Sequence, residues 1–241
     1  MDLSPFLSPA DADRAHRTLS LLCHHHVPPF VLTGSLAVQI HLLRVGHSMD
    51  PRPLNDIDFL AGSFDEIPQT LADDFFLCHV HPHQAPGRTL LQCIDPQTAV
   101  RIDIFHALGN TMLRAIPFKP GNRAIRIVSL ADLTAYSARL CMSLAEGATL
   151  PHKHAQDFLR LLPVISNGEI EPVWREYRKP NHPESFAEAA LLLQHLIASR
   201  KDLQVVTKCA QDIRTACPHC EQTEAFPLAE RSRIPSLLGY C

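Results

Sequence analysis

The sequence predicts an α+β protein in which a small mixed sheet in the first half of the chain is followed by a helical second half. Short apolar runs typical of strands recur between helix-like segments up to residue 128, and beyond it the apolar spacing is helical throughout. With 241 residues, of which 46% are hydrophobic and 20% charged, the chain is long enough to bury a core. The formal net charge of −3 gives no overall basic surface, so a nucleic-acid partner would have to bind a local patch.

Each element of the first half follows from a local pattern. Apolar residues near helical spacing predict helices over 9–25, 36–43 and 64–74. Apolar or alternating runs predict strands over 30–33, 54–60, 75–80, 89–94, 99–106, 113–118 and 124–128. Because helices interrupt these strands, we expect a mixed sheet in which antiparallel pairs dominate.

The second half is predicted to be helical. Ser129 and Asp132 have the spacing of a capping box, which predicts a helix that starts after Ser129 and extends to Glu146. Further helices are predicted over 152–164, 169–177, 184–199 and 203–216. The expected organisation is an α/β domain over 1–128, a helical domain over 129–208 and a cysteine-bearing tail over 209–241.

The sequence contains no signal that would direct the protein to a membrane or out of the cell. Its first residues lack the basic start and apolar run of a secretory leader, and no stretch reaches 18 uninterrupted apolar residues. We therefore expect a cytoplasmic protein without a membrane segment, whose eight cysteines are reduced thiols.

Three acids and a glycine-serine pair form the candidate site. Thr33-Gly34-Ser35 lies where a predicted strand passes into a predicted helix, and free N–H groups at a helix start favour a phosphate. Asp56 and Asp58 point the same way from one strand, and two such carboxylates among apolar neighbours are unfavourable without a cation. Asp103 adds a third acid on a later strand. Mg²⁺ (or Mn²⁺) takes oxygen ligands together with substrate phosphates, so the set suits two-metal phosphoryl-transfer chemistry.

In these residues the sequence resembles the nucleotidyltransferase superfamily, most of all its minimal and abortive-infection toxin-like members. The family pattern is Gly-Ser, then Asp-x-Asp followed by an apolar residue, then a single Asp on a later strand. Gly34, Ser35, Asp56, Asp58 and Asp103 match that pattern in order and spacing. The resemblance covers roughly residues 28–165. It implies a small α/β nucleotidyltransferase domain followed by a helical domain.

The resemblance also implies an activity. It implies a metal-dependent enzyme that moves a nucleoside monophosphate from an NTP to an acceptor hydroxyl on a tRNA or other RNA, a protein or a small molecule, with an antitoxin as partner. Asp56 and Asp58 would hold the metal, and Asp103 would be a second metal ligand or the base. Gly34 and Ser35 would bind phosphates, and Arg52 matches the family's basic lead-in to the Asp-x-Asp strand.

The helix after Ser129 departs from the family pattern. Abortive-infection toxins have a lysine there that helps to hold the nucleotide phosphates, and this chain has Ser137. Lys153, in a segment that resembles the family's Lys-Asp segment, or Arg139 is the candidate to take over that role. If neither does, the alternative is a catalytically degenerate nucleotide-binding or scaffold protein of the same fold.

Cysteines near the end of the chain suggest a second metal. Cys217 and Cys220 have the spacing of half a zinc knuckle, and with Cys209 and Cys241 they provide four thiolates for one structural Zn²⁺. His219 is an alternative ligand. A redox Cys-x-x-Cys is the competing interpretation, although no strand precedes it as in a thioredoxin-like unit.

Two other clusters are interpreted as solvent-exposed. His79, His81 and His83 share one strand face, but no acid or cysteine near them in sequence completes a metal site. The segment 174–179, Trp-Arg-Glu-Tyr-Arg-Lys, has residue types that stack on and clamp RNA, and a solvated helix end is the preferred interpretation.

Overall fold

The computed structural model describes residues 3, 6–25, 30–47, 52–81, 89–118, 125–148 and 150–203, with the backbone alone over 77–81. Its helices are α1 (Pro9–His24), α2 (Gly34–Arg44), α3 (Leu71–Asp74), α4 (Thr111–Arg114), α5 (Leu130–Cys141), α6 (His152–Leu161), α7 (Asn167–Tyr177) and α8 (Phe186–Ser199). Its strands are β1 (Val31–Thr33), β2 (Asp56–Ala61), β3 (Phe76–His81), β4 (Leu90–Ile94), β5 (Arg101–His106), β6 (Ile116–Phe118) and β7 (Ile125–Ile127).

The strands form one mixed sheet in the order β3-β4-β5-β2-β1-β7-β6. The pairs β2–β5 and β1–β7 are parallel, and the other neighbouring pairs are antiparallel. A mixed sheet followed by helices confirms the predicted α+β class. Strand β2 lies between β5, to which it is parallel, and β1, to which it is antiparallel. Residues from all three strands are therefore neighbours at the middle of β2.

Strand β2 separates a buried face from a polar one. Ile57, Phe59 and Ala61 are buried, whereas Asp56 and Asp58 alternate with them on the partly exposed face. Burying the apolar face fixes the register of the strand, because a slip of one residue would put the acids into the core.

The buried apolar residues of the described segments form two clusters. One lies between the sheet and helices α1 and α2, and the other lies among α5, α6, α7 and α8. Trp174 is in the second cluster with no exposed surface, where its Nε1 donates to the Pro183 carbonyl at 3.0 Å and its ring stacks on His182. The interpretation of segment 174–179 as solvated is therefore wrong for its tryptophan, and this ring is not available to stack on RNA.

Two predicted helices differ in extent from the observed ones. The predicted helix over 64–74 is a 3₁₀ turn at Phe64–Glu66 followed by the short α3, because Pro68 between them has no N–H to donate. The helix after Ser129 ends at Cys141 and continues as a 3₁₀ turn to Leu144. Within the described residues, no helix combines the length and apolar character needed to cross a membrane.

An ion-pair network joins α4 to the helical cluster. Arg114 donates to the fully buried Asp132 on α5, with Nη2 2.7 Å from Oδ1, and to Glu176 on α7, with Nη1 2.8 Å from Oε1. Ser129 caps α5 by accepting from the Asp132 N–H, but the Asp132 carboxylate binds Arg114 and the Ser129 hydroxyl. The predicted capping box is therefore only half formed, because the Asp132 carboxylate connects α5 to Arg114 on α4.

Candidate active site

The three acids predicted from the sequence lie together. Asp58 on β2 pairs directly with Asp103 on the parallel strand β5, and Asp56 lies two residues before Asp58 on the same face. Each carboxylate offers an oxygen, and these oxygens all lie within 4.8 Å of one another. We call Asp56, Asp58 and Asp103 the acidic cluster.

An arginine lies against the acidic cluster. Arg101 is two residues before Asp103 on β5 and pairs in register with Asp56. Its Nε donates to Asp103 Oδ1 at 2.8 Å, and its Nη2 donates to Asp56 Oδ2 at 2.5 Å. The guanidinium therefore bridges two of the three carboxylates.

The buried side-chain amide of Gln92 donates to Asp103 from the neighbouring strand β4. Gln92 on β4 pairs in register with Asp103, and its Nε2 is 3.2 Å from each of the two carboxylate oxygens. Gln92 has no exposed surface, and its Oε1 has no hydrogen-bond partner among the described residues. Two neighbours thus fix the orientation of the Asp103 carboxylate before any ligand binds.

The acidic cluster carries more negative charge than its surroundings neutralise. Burial, reinforced by Asp56 and Asp103, raises the pKa of Asp58 well above its ordinary value, while Lys153 and Arg101 act in the opposite direction. Burial also raises the pKa of Asp103 to about 6, against the effect of the Arg101 guanidinium beside it. Deprotonated carboxylates are therefore costly here without a further cation.

Gly34 brings the start of α2 into contact with the acidic cluster. Its φ is +67°, a left-handed conformation that favours glycine. A Cβ placed on it would lie 1.8 Å from Asp58 Oδ2 and 2.7 Å from Asp58 Cβ, so only glycine fits. Thr33 provides no side-chain cap and no acid occupies the first turn of α2. Partly exposed Gly34 and Ser35 therefore present a positive helix end beside the acids.

Of the predicted phosphate ligands from the helical half, Lys153 is near enough to the acidic cluster for its charge to act on Asp58. It is exposed on α6, and its charge lowers the pKa of Asp58. Among the described residues it makes no ion pair or hydrogen bond. Arg139 instead donates to the Tyr177 carbonyl at 2.9 Å, and Ser137 is buried within α5.

Arg52 has a partner in the protein. Its Nη1 and Nη2 donate to the two carboxylate oxygens of Asp157 on α6, at 3.1 and 2.5 Å. Asp157 is only 6% exposed, so this pair ties the segment before β2 to the helix that carries Lys153.

Sequence reasoning missed three residues at the site. Arg101 and Gln92 contact the acids, and Tyr136 lies near them, since burial and then Asp58 raise its pKa. The position of Arg101 two residues before Asp103 is a readable signal, because such residues share a strand face. Gln92 and Tyr136 reach the site through strand register and helix packing, which the sequence does not display.

The donor set fits a divalent cation such as Mg²⁺ or Mn²⁺. Three clustered carboxylates provide the hard oxygen ligands these ions prefer, and because burial raises the pKa of Asp58 and of Asp103, a bound cation would stabilise their deprotonated forms. Asp56, Asp58 and Asp103 are the residues that would hold it.

The predicted zinc ligands, and the side chains of the histidine cluster interpreted above as solvent-exposed, lie outside the described part of the structure. The four tail cysteines, Cys209, Cys217, Cys220 and Cys241, are beyond residue 203, and the side chains of His79, His81 and His83 are not described. Among the described residues, the acidic cluster is the one group of three or more ligands close enough to hold a metal.

Comparisons with known proteins find similarity at the level of structure. No protein-family model and no curated protein matches the chain. An antigenic nucleotidyltransferase-like protein from Paracoccidioides brasiliensis is 13% identical, with a TM-score of 0.45 over 89% of this chain and 99% of that one. The antibiotic-resistance factor ANT(2'')-Ia is 14% identical, with a TM-score of 0.44 over 83% of this chain and 100% of that one.

A third solved structure is that of a Helicobacter pylori protein proposed to be a nucleotidyltransferase. It is 13% identical, with a TM-score of 0.34 over 82% of this chain and 98% of that one. The solved structures to which this chain is similar include nucleotidyltransferase-like proteins. Similarity at this distance assigns no activity, so the function has to be argued from the acidic cluster itself.

Proposed function

We propose that this chain is a nucleotidyltransferase that moves a nucleoside monophosphate from an NTP to an acceptor hydroxyl. One observation carries the proposal: three carboxylates from two parallel strands offer oxygens within 4.8 Å of one another, directly beside the uncapped start of α2. Cation ligands next to an anion-binding helix end are what an NTP bound with Mg²⁺ or Mn²⁺ requires.

The residues around the cluster have distinct roles in this proposal. Asp56 and Asp58 hold the divalent cation, which when bound neutralises triphosphate charge and polarises the reacting phosphate. The N–H groups of Gly34 and Ser35, with the Ser35 hydroxyl, donate to the phosphate oxygens. Lys153, an exposed residue whose charge acts on Asp58, adds a positive charge to the same anion.

Asp103 serves the acceptor. Gln92 and Arg101 orient its carboxylate, and within the described residues Oδ1 accepts from both of them whereas Oδ2 accepts from Gln92 alone. Oδ2 is therefore the oxygen with more remaining capacity, either to take the proton of the acceptor hydroxyl or to act as a further cation ligand.

The experiment is a transfer assay with the full chain. The protein is incubated with each labelled NTP and Mg²⁺ or Mn²⁺, in separate reactions with total RNA, cell lysate and small hydroxyl compounds. Asp58→Asn keeps the size of the side chain but removes a ligand charge, so we expect label transfer to fall at least about a thousandfold while the fold is retained.

Asp65→Asn is the matched control. Asp65 is an exposed acid in the 3₁₀ turn that follows β2, and its loss should leave transfer unchanged. Near wild-type transfer by Asp58→Asn would show that the acidic cluster is not the reacting centre.

A second function deserves a test because of Ser137. This residue replaces the family's lysine and is only 7% exposed inside α5, so no cation is available at that position. A nucleotide-binding protein without turnover would be stabilised against heating by NTP and Mg²⁺ yet label none of the acceptors.

A further inference from the structure

Arg101 occupies the space between two of the proposed metal ligands. Its guanidinium contacts Asp103 through Nε and Asp56 through Nη2, and its side chain is only 16% exposed. Asp103 shares its strand face and Asp56 is its cross-strand neighbour, so the position follows from the sheet register.

Arg101 contacts two of the carboxylates that would hold a divalent cation. Asp56 Oδ2 and Asp103 Oδ1 each accept a guanidinium N–H, and each of the three carboxylates offers one ligand oxygen, with these oxygens within 4.8 Å of one another. Two cationic groups that share so small a space repel each other strongly where burial limits screening by water. The guanidinium and the metal therefore compete for these carboxylates.

We propose that Arg101 is a resident counter-ion of the acidic cluster that a divalent cation displaces from Asp56 and Asp103 when it binds. This inference rests on the proposed function. In the absence of metal, the guanidinium compensates two carboxylates that would otherwise repel each other. After displacement Gln92 still donates to Asp103, so that acid remains oriented when Arg101 leaves.

The proposal depends on the shape of arginine as well as its charge. A guanidinium donates from several nitrogens in a fixed plane and so bridges two carboxylates at once, whereas a lysine ammonium is a compact point charge. Arg101→Lys thus keeps the charge but loses the bridge, and Arg101→Gln loses both.

The test measures Mn²⁺ binding to the full chain by calorimetry and by the electron paramagnetic resonance of free Mn²⁺, without nucleotide. Arg101→Gln should bind Mn²⁺ about tenfold more tightly than wild type or better, since binding no longer displaces a cation. Arg101→Lys should show most of the same increase in Mn²⁺ affinity over wild type. Arg126→Gln is the matched control, because Arg126 on β7 contacts the Ala115 carbonyl, and its affinity should stay within about twofold of wild type.

Thermal unfolding provides a second measurement. Metal-free Arg101→Gln should melt below wild type, because its carboxylates lose their counter-ion, and saturating Mn²⁺ should raise its melting temperature by more than that of wild type. Unchanged or weaker Mn²⁺ binding by Arg101→Gln would overturn the proposal. Wild-type affinity in Arg101→Lys alongside tightening in Arg101→Gln would also overturn it, because net charge alone would then explain the effect.

These outcomes differ from a failure of the proposed function. If wild type and variants alike bind no Mn²⁺ at millimolar concentrations, both the displacement and the metal-dependent function are refuted. If wild type binds Mn²⁺ and transfers nucleotide but Arg101→Gln binds it equally well, only the displacement is refuted.

Discussion

Replacing Gly34 by alanine tests how tightly the start of α2 is packed against Asp58. An added Cβ would meet three atoms of Asp58 at 1.8, 2.5 and 2.7 Å, and the last of these is the Cβ. Rotating the Asp58 side chain moves its carboxylate but not its Cβ. Because Thr33 and Asp58 are paired across β1 and β2, the two strands would have to separate as well.

The expected cost has two parts. A left-handed conformation costs a residue other than glycine about 1–2 kcal/mol, and overpacking a close contact costs about 1–3 kcal/mol more. Gly46 is the matched control. Its φ of +81° imposes the cost of the left-handed conformation, but no atom lies within 4 Å of an added Cβ, so the overpacking cost is absent. We therefore expect Gly34→Ala to lower the free energy of unfolding by about 2–5 kcal/mol and Gly46→Ala by about 1–2 kcal/mol.

Urea unfolding of both variants measures this difference, and a transfer assay measures its effect on the site. Displacing Asp58 by about 1 Å should lower transfer about a hundredfold in Gly34→Ala, with little change in Gly46→Ala. In an Asp58→Ala background the two nearest atoms are absent, so Gly34→Ala should destabilise the protein less. Equal losses of stability in Gly34→Ala and Gly46→Ala, with full transfer in both, would refute the close packing.

Two further predictions concern α6. Arg52→Gln and Asp157→Asn should each weaken NTP binding about tenfold, because both residues act by holding the helix that carries Lys153. For the same reason the double variant should bind NTP no more weakly than either single variant. Tighter NTP binding by Asp157→Asn in a titration would show instead that Arg52 is itself a phosphate ligand. Burial lowers the pKa of His154 to about 4, so the folded protein resists protonation there and stability falls as the pH drops from 6.5 to 4. Relative to His154→Gln, wild type should lose up to about 3 kcal/mol across that window in urea unfolding, and an imidazole that titrates near 6.5 by NMR would contradict this.

The acids of the site could be predicted because strand alternation is local. Asp56 and Asp58 are separated by one residue, so any strand that buries Ile57 and Phe59 puts both acids on the opposite face. The position of Asp103 depends on pairing between strands that are not consecutive in the sequence. Strands β3 and β4 lie between β2 and β5 along the chain, yet β5 pairs with β2 in parallel and brings Asp103 beside Asp58.

The contacts that Arg101 makes with Asp56 and Gln92 makes with Asp103 could not be predicted, because they depend on strand register. Arg101 meets Asp56, and Gln92 meets Asp103, only through the alignment of neighbouring strands. The interpretation of Trp174 as solvent-exposed is wrong for a different reason. Ile170, Val173, Trp174 and Tyr177 form a buried stripe at helical spacing on α7, and that periodicity favours a core position over the solvated end suggested by the charged residues nearby.

The proposed site requires both halves of the chain. The acids and the start of α2 come from the sheet half, whereas Lys153 comes from α6, four residues before Asp157 and hence one helical turn away. The Arg52–Asp157 pair and the Arg114–Asp132 pair join the two halves. Each places a charge that is at least nine-tenths buried opposite an arginine, and breaking such a pair leaves an uncompensated buried charge. The Arg52–Asp157 pair therefore fixes the helix that carries Lys153 to the segment that leads into the acidic strand, so that the exposed lysine can reach the anion that Gly34 and Ser35 would bind.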